Sequence, residues 1–202
     1  MENDFSPEDR KKIEEGIRAK YAKAAVSPEG LFSYPTGRAG LDALKYDPAI
    51  LESLPEPALT SFCGVGNPFS LDEIRKGESV LDIGCGGGVD ALVAGTLTGP
   101  SGRVLGIDMS SEMVTRARRN LSMTRLTNVS FQEASGESLP FPDQDFDVVI
   151  SSGVFNLIPD KRKALREVFR VMKPGGRLLM ADQVLTGDPP EDVKSRIDNW
   201  AR

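Results

Sequence analysis

The residues of this chain best suited to chemistry sit in one stretch, Val80-Leu81-Asp82-Ile83-Gly84-Cys85-Gly86-Gly87-Gly88, and in Asp108 beyond it. The apolar run predicts a buried parallel strand, and the glycines a turn that opens a helix. Gly84, Gly86 and Gly88 remove side chains where backbone must approach a ligand or take a positive φ. Asp108 closes a second strand, where its carboxylate can accept hydrogen bonds from both hydroxyls of a ribose. A dinucleotide fingerprint, GxGxxG or GxGxxA, fails from Gly84 because its sixth position is Val89; from Gly86 it formally passes, ending at Ala91. Asp82 argues the other way. An unpaired carboxylate just before the turn repels a pyrophosphate and attracts an ammonium group, directly or through water. Read without a ligand, Asp82 is a buried carboxylate satisfied by loop amides. The sign of the charge favours an adenosine cofactor that carries an amino acid.

The elements that must hold these residues follow from periodicity. A helix is predicted over 6–25, capped by Ser6, with Pro7 at its first position and Ile13, Ile17, Tyr21 and Ala24 on one face. Residues 26–40 read as a loop. Short helices are predicted after Asp47-Pro48 and, by capping-box spacing, from Ser70-Leu71-Asp72-Glu73. Beyond Gly77, strands near 79–83, 103–107, 129–133, 146–151 and 177–184 alternate with helices near 88–97, 111–125, 160–172 and 190–201. That alternation predicts an α/β fold, a doubly wound parallel sheet with helices on both faces.

Composition narrows the function. The chain has no histidine, so the commonest metal ligand is absent and acid–base work falls to carboxylates, Tyr, Lys or water. A net charge of −5 gives no basic footprint for nucleic acid. Cys63 and Cys85 form no CxxC pair, which suits a reducing, cytoplasmic setting. The N-terminus lacks a signal-peptide pattern, and no apolar run approaches the roughly 20 residues of a membrane span. A soluble cytoplasmic protein is expected, without membrane or nucleic-acid partners and without a bound metal.

Residues 80–88 resemble the first motif of class I S-adenosylmethionine-dependent methyltransferases, and Gly106-Ile107-Asp108-Met109-Ser110 resembles the second. Glu137-Ser138-Leu139-Pro140-Phe141, with Asp145-Phe146-Asp147-Val148-Val149, resembles the exit of the third strand and the fourth strand. Met172-Lys173-Pro174-Gly175-Gly176-Arg177 resembles the turn before the fifth. The resemblance implies S-adenosyl-L-methionine as cofactor, held by Asp82, Gly84, Cys85, Gly86 and Gly88, with Asp108 on the ribose and Met109 against the adenine. Ser135, Gly136, Glu137 and Ser152 complete the expected set. Ser135 stands where many relatives carry an acidic residue facing the adenine amino group.

Within that class, residues from about 50 to 202 resemble the arsenite methyltransferase family, notably Gly64-Val65-Gly66-Asn67-Pro68 and Val149 to Leu157. That family holds arsenite through cysteine thiolates. Here the matching positions are Val65 and Gly153, and the upstream cysteine-rich stretch is replaced by Tyr34-Pro35-Thr36-Gly37-Arg38. Cys63 is offset by two residues, and Cys85 occupies a turn that needs a small residue anyway. The donor carries over and the arsenic chemistry does not.

The expected acceptor is therefore an unidentified small molecule. Tyr21, Tyr34, Arg38, Asn67 and Asn156 are its candidate contacts. Each has a structural alternative: Tyr21 packs its helix, Tyr34 and Arg38 shape a turn, and Asn67 caps a helix. Asn156 follows strand four, at the edge of the expected transfer point. Trp200 is expected to pack the last helix. Residues 1–75 are expected to form a helical lid, and 76–202 the cofactor domain. The sheet is expected to end near strand five, without the family's last two antiparallel strands. A longer parent protein, a short domain, or a second copy covering the strand-five edge would each account for that. The alternatives to a methyltransferase are a non-catalytic S-adenosylmethionine-binding or S-adenosylhomocysteine-binding module and an NAD-dependent oxidoreductase.

Overall fold

A computed structural model describes residues 5–184, 186, 187, 192, 195, 197 and 200. A five-stranded parallel sheet in the order β3-β2-β1-β4-β5 is formed by β1 (Ser79–Ile83), β2 (Arg103–Asp108), β3 (Val129–Glu133), β4 (Phe146–Ser152) and β5 (Met172–Ala181). The chain runs outward from β1 to β3, then crosses back to place β4 on the other side of β1. The crevice beyond the carboxyl ends of β1 and β4 is the switch point where ligands settle in such sheets. Every residue of β1 is buried, as a central parallel strand requires.

The helices are α1 (Pro7–Val26), α2 (Gly37–Ala43), α3 (Pro48–Glu52), α4 (Glu56–Leu59), α5 (Val89–Thr98), α6 (Ser111–Ser122) and α7 (Lys161–Val171). A capping box starts α1: the Ser6 hydroxyl accepts from the Asp9 amide, and the Asp9 carboxylate accepts from the Ser6 amide. Two apolar clusters flank the sheet. One joins Leu41, Leu51, Leu59 and Phe62 to Val80, Leu92 and Val104; the other gathers Leu81, Ile83, Ile107, Val149 and Val168. Residues on both sides of position 75 thus share one core.

Several expectations shift. The loop predicted over 26–40 gives way to α2 at Gly37, whose amide donates to Phe62 O at 2.7 Å. No helix follows Ser70. Arg177 claims that segment, pairing with Asp72 at 2.8 Å and donating to Glu73 O at 2.7 Å; the segment keeps only a 3-10 turn at Pro68–Ser70. β5 begins at Met172 and ends at Ala181, and a register shift opposite Phe146 and Val148 absorbs the Gly175-Gly176 kink. Most of the helix expected over 190–201 lies outside the described residues. The Trp200 indole N–H donates to Leu157 O at 2.7 Å, and the ring meets Phe5 edge-on at 5.1 Å. Among the described residues, no helix is long and apolar enough to cross a membrane.

Candidate active site

The glycine turn is wired to its neighbours by backbone bonds. The Gly84 and Cys85 amides both donate to Ile107 O, at 2.8 and 2.9 Å, and the Gly88 amide donates to Cys85 O at 2.8 Å. Asp108 completes the frame: one carboxylate oxygen accepts from the Gly86 amide and the other from the Ser110 amide, both at 2.9 Å. The glycines differ in what surrounds them. A Cβ on Gly88 would lie 2.7 Å from the Phe131 ring, whereas a Cβ on Gly86 would meet nothing within 4 Å. Gly86 faces open space; Gly88 faces core.

That open space is a cavity over the carboxyl ends of the strands. Gly84, Cys85, Gly86, Asp108 and Met109 line one side; Ser135, Gly136, Glu137 and Ser152 line another. Tyr21 closes it from α1 with Glu14, Ile17 and Arg18, and the segment 61–64 forms a further wall. The Arg18 guanidinium donates to Met109 O and lies 3.4 Å from Glu133 Oε1, tying α1 across the cavity edge.

Charge in the cavity is lopsided. Asp90 and Asp108 line it and Asp82 lies buried beneath, while Arg18 is the one cation among the described lining residues. Burial, then the charges of Asp90 and Asp108, hold the Asp82 carboxyl well above the usual range, and its Oδ2 has no hydrogen-bond partner. Burial pushes Asp90 up to about 7 against the opposing bond from Tyr46. Asp108 is also raised by burial, opposed by the Ser110 and Gly86 amides and by Arg18. Crowded carboxylates in a low-dielectric site favour a cationic ligand.

The thiols and phenols behave as neutral groups. Burial, then the carboxylates of Asp108 and Asp90, push Cys63 up to about 12. Cys85 and Tyr21 are likewise raised by burial first. At neutral pH, Tyr21 is a proton donor and neither cysteine is a thiolate.

Other candidates fall elsewhere. Arg38 is half-buried and pairs with Asp42 and Glu56. Asn67 caps the 3-10 turn by accepting from the Phe69 amide and donates to Lys45 O at 3.1 Å. The Tyr34 hydroxyl donates to Cys63 O at 3.1 Å, behind the wall. The Asn156 amide donates to Asp182 at 3.2 Å, and its side chain turns to Gln183. None of these four lines the cavity; local caps, ion pairs and strand-end bonds occupy them. Asp82 and Gly88 lie behind the turn. Ser152 does line the cavity, but its hydroxyl is taken: it accepts from the Val65 and Gly66 amides and donates to Gly66 O at 3.0 Å.

Sequence reasoning passed over Asp90, Arg18, Ser61 and Tyr46. Asp90 reads as an acid at a helix start, which is a dipole signal first. Ser61 has no signal at all. In the fold, Asn120 donates to the Ser61 hydroxyl at 3.1 Å and to Gly87 O at 2.7 Å, holding wall and turn together.

A strand, glycine turn and helix, an acidic residue closing the second strand, and a cavity at the switch point define a class I methyltransferase fold. The family model described as "Methyltransferase domain" matches residues 74–202, and the chain belongs to that family. It is 34% identical to the arsenite methyltransferase of Halobacterium salinarum, over 98% of this chain and 54% of that protein. It is 44% identical to the ubiquinone/menaquinone biosynthesis C-methyltransferase UbiE of Pasteurella multocida, over 63% of this chain and 47% of that protein. Among solved structures it is similar to CrArsM, an arsenic(III) S-adenosylmethionine methyltransferase from Chlamydomonas reinhardtii, with 34% identity and a TM-score of 0.57. That match covers 74% of this chain and 50% of CrArsM. The chain spans about half the length of these relatives. The Halobacterium alignment reaches into the N-terminal segment, beyond the resemblance read from residue 50 onward.

Proposed function

We propose that this chain binds S-adenosyl-L-methionine in the cavity over the glycine turn and directs its methyl group to a small-molecule acceptor. One observation supports this above the rest: the cavity is bounded by buried carboxylates with one cation among the described lining residues, and Asp82 keeps an orphaned buried oxygen beneath it. These residues fit a ligand bearing an ammonium and a sulfonium, and do not fit a pyrophosphate. Bound there, the cofactor supplies an activated methyl group on positively charged sulfur. Asp108 takes the ribose hydroxyls, Asp90 faces the ammonium end with the Asp82 carboxyl buried beneath it, and the open face of Gly86 admits the ligand beside the backbone. Met109, Ser135, Gly136 and Glu137 are placed for the adenine side, and Cys85 supplies a small surface at the turn. Residues 1–75 act as a lid through α1.

Transfer from sulfur is an in-line displacement, so orientation and exclusion of water carry much of the rate. Tyr21 is placed to orient an acceptor by donating a hydrogen bond. Arsenite is disfavoured as that acceptor. Val65 and Gly153 stand at the positions where the resemblance expects thiols, and a Cβ on Gly153 would already lie 3.1 Å from Val65. Calorimetry with S-adenosylmethionine and S-adenosylhomocysteine tests the donor: no binding, or binding indifferent to Asp108→Ala, sinks it. Mass-spectrometric screening of a metabolite panel tests the transfer. A panel that yields donor binding and no methylated product favours a binding module over an enzyme.

A further inference from the structure

The walls of the cavity are fastened in two ways. Backbone bonds hold most of them: Phe62 O accepts from the Gly37 amide at 2.7 Å, the Ala134 amide donates to Asp108 O at 3.0 Å, and the Gly153 amide donates to Ala181 O at 2.9 Å. The wall made by α1 is different. Among the described residues, no backbone–backbone hydrogen bond joins α1 to another element. Side chains hold it instead. Ile13, Ile17 and Ala24 are buried against the body of the protein. Near the start of α1, Arg10 lies 3.9 Å from Asp160; near its end, Arg116 donates to Ala25 O at 3.4 Å.

Arg18 supplies a polar hold between those ends. Glu14, Ile17, Arg18 and Tyr21 line the cavity at three- and four-residue spacing, so one face of α1 covers it. Arg18 reaches past that face to the rim. Its Nη1 carries two N–H bonds and gives one to Met109 O and one to Glu133 Oε1, the latter at 3.4 Å. These acceptors stand where β2 and β3 end. Both belong to the protein, and Glu133 lies outside the cavity lining. Filling the cavity therefore leaves the two bonds as they were. An interaction made equally by the empty and the filled protein adds nothing to affinity. It sets how often the edge opens, and with both side chains about half exposed it breaks readily.

We propose that Arg18 is a positioning residue that latches α1 to the ends of β2 and β3 and sets the rate at which ligand enters and leaves the cavity, without setting its affinity. The identity of that ligand rests on the donor assignment above; the latch itself does not. Losing the latch favours the open form by one common factor in the empty and the filled protein. While the closed form still predominates in both, entry and exit quicken together and the dissociation constant stays where it was. A half-exposed pair with one added carbonyl bond corresponds to about fivefold in each rate.

The test is stopped-flow binding of S-adenosylhomocysteine to the full chain and to Arg18→Met, which keeps an apolar stem and removes the guanidinium. Association and dissociation rate constants are expected to rise together by about fivefold, with the dissociation constant unchanged within about twofold. Glu133→Gln removes one charge of the latch and should raise both rates by about twofold. Lys12→Met is the control: its partner Glu8 lies on the same helix at 2.9 Å, so both rates should match the parent. Thiol labelling of the ligand-free protein gives a reading that needs no ligand. Cys63 and Cys85, the two cysteines of the chain, both line the cavity. At fixed pH their reaction with a disulfide reagent should quicken in Arg18→Met by the same factor as the binding rates. Faster dissociation alone, with weaker affinity, would mean that Arg18 touches the ligand and would overturn the latch. Unchanged rates with unchanged labelling would overturn it as well. Faster labelling with no binding by the parent protein would uphold the latch and overturn the donor assignment.

Discussion

Replacing Gly86 by alanine puts a methyl group where no protein atom lies within 4 Å, at a φ of +50°. Left-handed backbone costs a non-glycine residue about 1–2 kcal/mol. The stiffer unfolded chain returns about 0.4–1 kcal/mol of that. The net loss of stability is about 1 kcal/mol, a fall of roughly 2–4 °C in melting temperature for a chain of this size. Gly88→Ala carries the same backbone strain at φ +87°, but its Cβ would sit 2.7 Å from Phe131 and 3.0 Å from Ala117. Overpacking of that kind adds about 1–3 kcal/mol, so the total reaches about 3 kcal/mol and the melting temperature falls by roughly 6–12 °C. Binding reverses the order. The Gly86 methyl intrudes on the cavity and is expected to weaken S-adenosylhomocysteine by about 10- to 100-fold, at nearly intact stability. Gly88→Ala, where it folds, is expected to bind within a few-fold of the parent. Thermal melts and calorimetry on both variants decide it. Equal destabilisation by the two, or an unchanged affinity in Gly86→Ala, would refute the assignment of one glycine to the ligand and the other to the core.

Three further outcomes are expected. Asp108→Asn should weaken S-adenosylhomocysteine about 100-fold, because charge-assisted bonds to a ribose diol are lost; a comparable penalty on an analogue lacking both hydroxyls would show that only the turn had been disturbed. Asp90 has a folded value of about 7 against 3.8 for an ordinary aspartate, so the folded state binds the proton more tightly. Its contribution to stability is then lost as pH rises between those values, by up to about 4 kcal/mol. Urea melts of Asp90→Asn should show a flatter pH dependence and a more stable protein at pH 8, and parallel curves would contradict this. Arg170 donates to Leu139 O, Phe141 O, Glu167 and Asp143 at 2.7–3.0 Å. Arg170→Met should lose about 1–2 kcal/mol, discounted for partial exposure, and a loss below about 0.5 kcal/mol in denaturant titration would disprove its role in holding the 139–143 loop.

The strands were legible because central parallel strands are buried on both faces and so carry apolar runs, as Val80-Leu81 in β1 and Val148-Val149-Ile150 in β4 do, in segments too short for a helix and bounded by turn residues. Caps at Ser6 and Asp47 were legible for the same kind of local reason. The helix expected after Ser70 failed because its acidic residues answer to Arg177, a partner about a hundred positions away that no local rule could supply. The site divides likewise. Gly86 and Asp108 belong to a pattern written in consecutive residues. Ser61 reaches the cavity, and Tyr46 reaches the Asp90 carboxylate that lines it, only through tertiary packing, and Asn67 and Arg38 were drawn off by neighbours that offered nearer partners.

The Ser152 hydroxyl, bonded to Val65 and Gly66, fastens the end of a sheet strand to a segment that precedes the first strand in the chain. Asn120 does the same from α6 by gripping Ser61 and Gly87 together. One wall of the cavity therefore exists only while the N-terminal third is docked. Ligand occupancy and the docking of that segment are two faces of a single equilibrium. A molecule that fills the cavity clamps the amino-terminal segment down, and whatever loosens that segment also loosens the molecule.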